Sequence, residues 1–227
     1  ELSSRPNVVF QPVNQTPDRL ELVAGNNQNV PVTEESQPLV VKVYDTQNRA
    51  MINYDVTFVV SAGEGSLDGQ STQTVQTDVD GLASVVFQTG KVAGIFSRVE
   101  AHAENTSNSP LTFSISSVAG EPRSLAVVSG NNQQGPPNTE LPQPLAVRVL
   151  DAHTNPVTNY PVEFEVTMGS CTFSGSPKIS VYTNGEGVAS VVATTGEQQG
   201  QVLIGAKTSF SSVSFTLMVT EGLPDPD

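Results

Sequence analysis

Apolar and polar positions alternate with a period of two through most of this chain. In Leu39-Val40-Val41-Lys42-Val43-Tyr44, one face takes Leu39, Val41 and Val43. Further along, Leu145, Val147 and Val149 form a matching face, with Ala146 and Arg148 opposite. Val56, Phe58 and Val60 alternate in the same way, as do Val162, Phe164 and Val166; Ala83, Val85 and Phe87; and Leu111, Phe113 and Ile115. One apolar face at period two predicts half-buried antiparallel strands. Turn chemistry separates them at Asp45-Thr46-Gln47-Asn48, Ala62-Gly63-Glu64-Gly65, Asp78-Val79-Asp80-Gly81 and Asn184-Gly185-Glu186-Gly187. No segment has helical periodicity. About seven or eight short strands in some 100 residues predict an all-β, Greek-key β-sandwich.

The pattern occurs twice. Gly25-Asn26-Asn27-Gln28 returns as Gly130-Asn131-Asn132-Gln133, an offset of 130 − 25 = 105 residues. Asn53-Tyr54-x-Val56-x-Phe58-x-Val60 returns as Asn159-Tyr160-x-Val162-x-Phe164-x-Val166, and Ala83-Ser84-Val85-Val86 returns as Ala189-Ser190-Val191-Val192. A fixed period of this length within 227 residues predicts two modules, 17–120 and 121–221, each large enough to bury its own core. Residues 1–16 read as an N-terminal extension or as the last strand of a preceding repeat, carried by Val8 to Val13. Residues 222–227 read as the start of the next linker, because Gly222 and Pro224 restate Gly120 and Pro122. A short, Pro-bearing link predicts modules held end to end, each adding roughly 35–40 Å of reach.

Composition narrows the function. Charged residues make up only 15 % of the chain and the polar remainder is Ser, Thr, Asn and Gln, which favour sheets and turns over helices. The net charge of −13 excludes the basic stripe that nucleic acid requires and disfavours an anionic membrane surface. No run approaches the roughly 20 apolar residues of a membrane helix, so no membrane insertion is expected of this segment. Cys171 is the only cysteine, so no disulfide forms within a module. Its counterpart is Gly65, and it reads as a small hydrophobe at a strand end, with an intermolecular bridge or reactive thiol as the alternative.

In order, and twice, the chain carries Pro-Leu-x-Val-x-Val-x-Asp (Pro38 to Asp45; Pro144 to Asp151), Asn-x-x-Val-x-Phe-x-Val (from Asn53; from Asn159), and a Thr-Asp/Asn-x-x-Gly turn leading to Thr-Gly (Thr77 to Gly90; Thr183 to Gly196). Over roughly residues 17–221 this resembles the group 1 bacterial immunoglobulin-like repeats of the invasin and intimin type. The resemblance implies tandem immunoglobulin-like Greek-key sandwiches on a bacterial cell surface, or in a secreted protein, where such repeats extend a terminal binding domain. It implies an extracellular, non-catalytic stalk or spacer whose partners are neighbouring repeats. The alternative is a binding module that contacts a host-surface protein or a glycan through exposed loops or an edge strand. No lectin-like tip is present in the sequence, there is no Trp, and Tyr44, Tyr54, Tyr160 and Tyr182 are scattered.

Residues able to carry chemistry are sparse. His102 and His153 fall in different modules and neither recurs, which argues against a triad or a zinc site. No catalytic and no cofactor-binding residue is assigned. Asp45, Asp68, Asp78 and Asp80 are candidate calcium ligands, on the expectation that they converge at one end of the first sandwich. The competing reading is that they cap turns, and Asp45 and Asp151, each closing a strand, fit that reading directly. Lys42 is the candidate for an intramolecular Lys–Asn bond, but Arg148 replaces it in the second copy. Asn14 and Asn105 open glycosylation sequons.

Overall fold

The computed structural model describes residues 15–221. The strand expected at Val8 to Val13, the sequon at Asn14, and Gly222 and Pro224 lie outside the described residues. The chain forms two compact units. One holds the described residues up to Val30 together with Glu34–Gly90 and Phe96–Ser116; the other holds Pro31–Thr33, Lys91–Ile95 and the residues from Ser117 onward.

In the first unit, β1 (Pro17–Ala24), β3 (Leu39–Asp45) and β7 (Leu82–Val85) form a three-stranded sheet in the order β1-β3-β7. The facing sheet has five strands, β2 (Gln28–Pro31), β4 (Asp55–Ala62), β6 (Thr72–Gln76), β9 (Phe96–His102) and β10 (Leu111–Val118), in the order β2-β10-β9-β4-β6. A ribbon of β5 (Gly65–Leu67) and β8 (Phe87–Thr89) completes it. The second unit repeats the plan. Its three-stranded sheet is β11 (Pro122–Ser129), β13 (Leu145–Asp151) and β17 (Val188–Val191), in the order β11-β13-β17. Its five-stranded sheet has the order β12-β20-β19-β14-β16, from β12 (Gln133–Gly135), β14 (Pro161–Met168), β16 (Lys178–Tyr182), β19 (Gly200–Lys207) and β20 (Ser212–Val219). Its ribbon is β15 (Cys171–Thr172) with β18 (Thr194–Thr195).

Each unit therefore has ten short strands rather than seven or eight. One added strand comes from the first strand of each module, which crosses from one sheet to the other, and the rest belong to the short ribbon. The crossing lies at the repeated Gly-Asn-Asn-Gln. Gly25 (φ +90°) and Gly130 (φ +86°) sit where a Cβ would lie 2.1 and 2.4 Å from the carbonyl oxygens of Pro38 and Pro144, so only glycine fits. Asn26 Oδ1 accepts the Ser114 amide at 2.9 Å, and Asn131 Oδ1 accepts the Thr216 amide at 2.8 Å. The Gln28 side chain donates to Gly25 O (2.6 Å) and Gln37 O (3.0 Å) and accepts the Gln37 amide (2.7 Å). Gln133 makes the same three bonds with Gly130 and Gln143. The most visible sequence repeat is thus a staple for the strand crossing. In the second unit, β12 then runs parallel to β20, with Gln133 opposite Leu217.

The alternating faces pack inward as expected. Leu39, Val41, Val43, Val56, Phe58, Phe113 and Ile115 are fully buried in the first unit, as are Leu145, Val147, Val149, Val162, Phe164 and Phe215 in the second. Phe58 and Phe113 pack with ring centroids 6.4 Å apart, and Phe164 and Phe215 at 6.2 Å, with the same 34° tilt. Each such phenyl contributes about 1.5–3 kcal/mol by its burial. Ala146, read onto the polar face, is also buried.

At the ribbon, the two cores reach the same filling by different residues. β5 pairs with β8, Gly65 opposite Thr89 and Leu67 opposite Phe87, while β15 pairs with β18, Cys171 opposite Thr195. The first unit thus places Gly65, Leu67 and Phe87 where the second places Cys171, Phe173 and Ala193. A Cβ on Gly65 would meet the Phe87 ring at 2.2 Å, so the large Phe87 requires the missing side chain. In the second unit the small Ala193 leaves room for Cys171 and Phe173, all three buried. Ala193→Phe is therefore expected to destabilise the second unit by about 1–3 kcal/mol. Adding Cys171→Gly and Phe173→Leu should recover most of that loss, as read by denaturant unfolding of the whole chain; strictly additive losses would refute the exchange.

Candidate functional site

The aspartates flagged by the sequence are held by turn geometry. Asp45 ends β3, and its Oδ1 accepts the amides of Gln47 (2.9 Å) and Arg49 (2.8 Å), while Oδ2 accepts Arg49 Nε at 2.8 Å. Asp151 ends β13 in the same way. Its Oδ1 accepts the amides of His153 and Asn155 (both 2.8 Å), and its Oδ2 accepts Asn155 Nδ2 and the Gly120 amide (both 2.9 Å). Burial alone would raise both carboxyls. For Asp45 the Arg49 amide and guanidinium and the Gln47 amide outweigh it; for Asp151 the Asn155 side chain and the surrounding amides do. Both carboxyls are held below the ordinary carboxylate range, ionised and fully engaged.

Of the other candidates, Asp78 is engaged in the same way, while Asp68 and Asp80 are turn residues without such bonds. Asp78 Oδ1 accepts the amides of Asp80 (2.8 Å) and Leu82 (2.9 Å), and Asn184 repeats this with Glu186 and Val188. Asp68 adopts φ 50° in a two-residue hairpin loop closed by reciprocal Leu67–Gln70 backbone bonds of 2.8 and 3.0 Å, a conformation that Asp before Gly readily takes. Asp80 is exposed. The expected convergence of Asp45, Asp68, Asp78 and Asp80 is not formed: among the described residues no group of three or more His, Cys, Asp or Glu is placed to hold a metal ion. Turn amides and Arg49 take the oxygens of Asp45, and turn amides take one oxygen of Asp78, whereas Asp68 sits in a separate hairpin loop.

The remaining candidates are also dispersed. His102 Nε2 lies 3.4 Å from Glu100, while His153 is exposed and contributes its backbone amide to Asp151. Lys42 Nζ lies 5.1 Å from the centre of the Tyr44 ring, on the polar face of its strand. Tyr54 and Tyr160 pack partly against the two cores, with the Tyr54 hydroxyl donating to Glu104 O and the Tyr160 hydroxyl 2.7 Å from Ser209 Oγ. Asn105 is exposed in a loop. Among the described residues no helix is long and apolar enough to cross a membrane, which says nothing of a β-barrel.

Sequence reasoning missed Asn155. It is buried, and its side chain joins Asp151 Oδ2 to Lys91 O (2.9 Å) and the Ala93 amide (2.9 Å), all within the second unit. Its counterpart in the first unit is Arg49, so the repeat gave no signal for it. A cleft lined by Asn27, Gln28, Asn29, Phe96, Ser114 and Ser116 was missed too, and it contains none of the four aspartates.

Two measurements follow. Because the folded pKa of Asp151 is lowered, its stabilisation is present above the unfolded value near 4 and is lost as pH falls through the lower folded value. Asp151→Asn places a donor against the donors of Asn155 and Gly120. It should cost the second unit about 1–3 kcal/mol at pH 7, with the gap to the parent chain narrowing below about pH 4 in thermal melts. The Cys171 thiol is pushed up to about 11 by burial, which outweighs the smaller opposing effect of the Thr172 backbone. A thiol reagent should modify it slowly in the native chain and at least about a hundredfold faster in denaturant; similar rates would contradict a core role.

No family model matches the chain, and no curated protein matches it. Solved structures do. InvD of Yersinia pseudotuberculosis is 16% identical with a TM-score of 0.53, the match covering 89% of this chain and 58% of that one. The D0–D1 domains of intimin are 18% identical with a TM-score of 0.34, covering 89% of this chain and 97% of that one. Invasin, described as a bacterial integrin-binding protein, is 18% identical with a TM-score of 0.42, covering 92% of this chain and 40% of that one. The chain thus spans a little over half of the InvD structure and less than half of the invasin structure. At these identities the likeness is one of fold, and the InvD match carries it: the chain is all-β, built of immunoglobulin-like sandwiches, and shares that fold with the InvD structure.

Proposed function

We propose that the chain is a non-catalytic, tandem immunoglobulin-like segment serving as the stalk or spacer of a bacterial surface or secreted adhesin-like protein. One observation carries this reading. Among the described residues, the features that recur in both units are scaffold: the Gly-Asn-Asn-Gln staple, the Asp45 and Asp151 caps, the Asp78 and Asn184 turns, and the paired Phe cores. Selection for a copied module that maintains distance acts on such features, whereas a copied catalytic or ligand site would leave a recurring cluster of reactive side chains. The acidic surface, at a net charge of −13, keeps such a segment soluble and repels anionic surfaces. The bacterial surface setting rests on the motif resemblance, and the shared fold with InvD supports it.

The mechanism is mechanical. Each sandwich resists deformation through its buried Val, Leu and Phe core, and a short Pro-bearing link limits bending. Small-angle scattering of the whole chain should report an elongated, two-lobed particle. A compact globule would overturn the spacer reading.

A further inference from the structure

The outer face of the five-stranded sheet of the first unit carries a cleft that scaffold duty does not explain. Alternation along β9 turns Ser97 and Val99 into the core and sends Phe96 and Arg98 outward. Phe96 is 76% exposed, the most exposed aromatic among the described residues. In the register of β9 with β10, Phe96 stands opposite Ser116, and Ser114 also faces outward. Asn27 and Asn29, both exposed, flank them from the neighbouring strand crossing, and the cleft so formed has a volume of about 210 Å³.

Its chemistry is specific. The lining is one phenyl face, three carboxamides and two hydroxyls, with no charged side chain. Gln28 is committed to the strand staple, which fixes the floor. The side chains of Asn27, Asn29, Ser114 and Ser116 make no hydrogen bond to the described residues, so their donors and acceptors face solvent. A flat apolar ring beside mixed donors and acceptors, on a rigid sheet, is complementary to a pyranose. The C–H face of the sugar stacks on the ring while its hydroxyls pair with amides and serines. The volume is below the roughly 300–1,000 Å³ typical of drug-sized ligands and suits a single ring. None of the six lining side chains carries a charge to pair with an anionic sugar, which favours a neutral one, and Arg98, opposite Ser114 in the register, is the one cation on the adjoining face.

The second unit is an internal control. The equivalent positions are Asn132, Gln133, Gln134, Gln201, Thr216 and Met218, with Gln201 opposite Met218 in the register. The same fold tolerates a polar Gln where the first unit presents Phe96, so folding does not require the phenyl.

We infer that the Phe96 cleft of the first unit is a binding subsite for a neutral hexose or N-acetylhexosamine residue of a glycan, with Phe96 as the stacking platform and Asn27, Asn29, Ser114 and Ser116 as hydroxyl partners. This goes beyond the spacer reading and is independent of it, since a stalk lacking the subsite remains a stalk. The test is saturation-transfer NMR and titration of the whole chain with the methyl glycosides of glucose, galactose, mannose, N-acetylglucosamine and N-acetylgalactosamine, followed by an array of neutral and sialylated glycans. At least one neutral glycoside should bind. Phe96→Ala should weaken it at least about tenfold, while Phe96→Tyr should retain it and Gln201→Ala should leave it unchanged. Unchanged thermal melting of Phe96→Ala, expected for an exposed side chain, separates lost binding from lost fold. Four outcomes overturn the proposal: no glycoside binds, only sialylated glycans bind, Phe96→Ala binds as the parent does, or Phe96→Ala abolishes self-association measured by sedimentation instead of sugar binding.

Discussion

Strand register is the constraint from which the other properties of each unit follow. Side chains in a strand alternate strictly, so a slip of one residue would turn Leu39, Val41 and Val43 to water and bring Val40, Lys42 and Tyr44 into the core. Several local devices hold the register. The Gly25 and Gly130 approaches and the Gln28 and Gln133 staples fix where the first strand changes sheets. Asp45 and Asp151 end the central strand of each three-stranded sheet by gathering the amides of the turn beyond it. The same alternation that buries Ser97 obliges Phe96 to face outward.

Polar chemistry in these units is largely spent on that task. The carboxylates of Asp45, Asp78 and Asp151 are acceptors for backbone amides, because a tight turn leaves several N–H groups without a strand partner. Thr77 and Thr183 do equivalent work from inside, each hydroxyl donating to a backbone carbonyl, Met51 O at 2.6 Å and Val157 O at 2.7 Å. Among the described residues no buried side-chain nitrogen or oxygen is left without a partner. Groups free to recognise a ligand therefore lie on outer sheet faces, where amides and hydroxyls have no structural duty.

Much of this was legible in the chain itself. Period two identified the buried faces, and the duplicated motifs identified the scaffold, since features needed by the fold appear in both copies. Asp45, Asp151, Asp78 and Asn184 could be read as turn caps because Asx side chains reach the amides two and four residues on. Other features were hidden for definite reasons. The exchange of Gly65, Leu67 and Phe87 for Cys171, Phe173 and Ala193 couples residues about twenty positions apart, and their compensation depends on a ribbon that pairs them. Asn155 has no signature, because Arg49 in the first copy satisfies the same aspartate with different chemistry. The extra strands arise from a mid-strand change of sheet and from the short ribbon, neither of which alternation reveals.

The sequence by itself determined the all-β class, the duplication, the inward faces and the turns. These are set by local alternation and by backbone preferences acting over two to five residues. Only the tertiary structure decided which residues meet: that four aspartates stay apart, that Cys171 is sealed into a core, and that Phe96 lies beside Asn27, Asn29, Ser114 and Ser116. Such meetings depend on which strands become neighbours across the sheet, and strand order is a property of the packed whole.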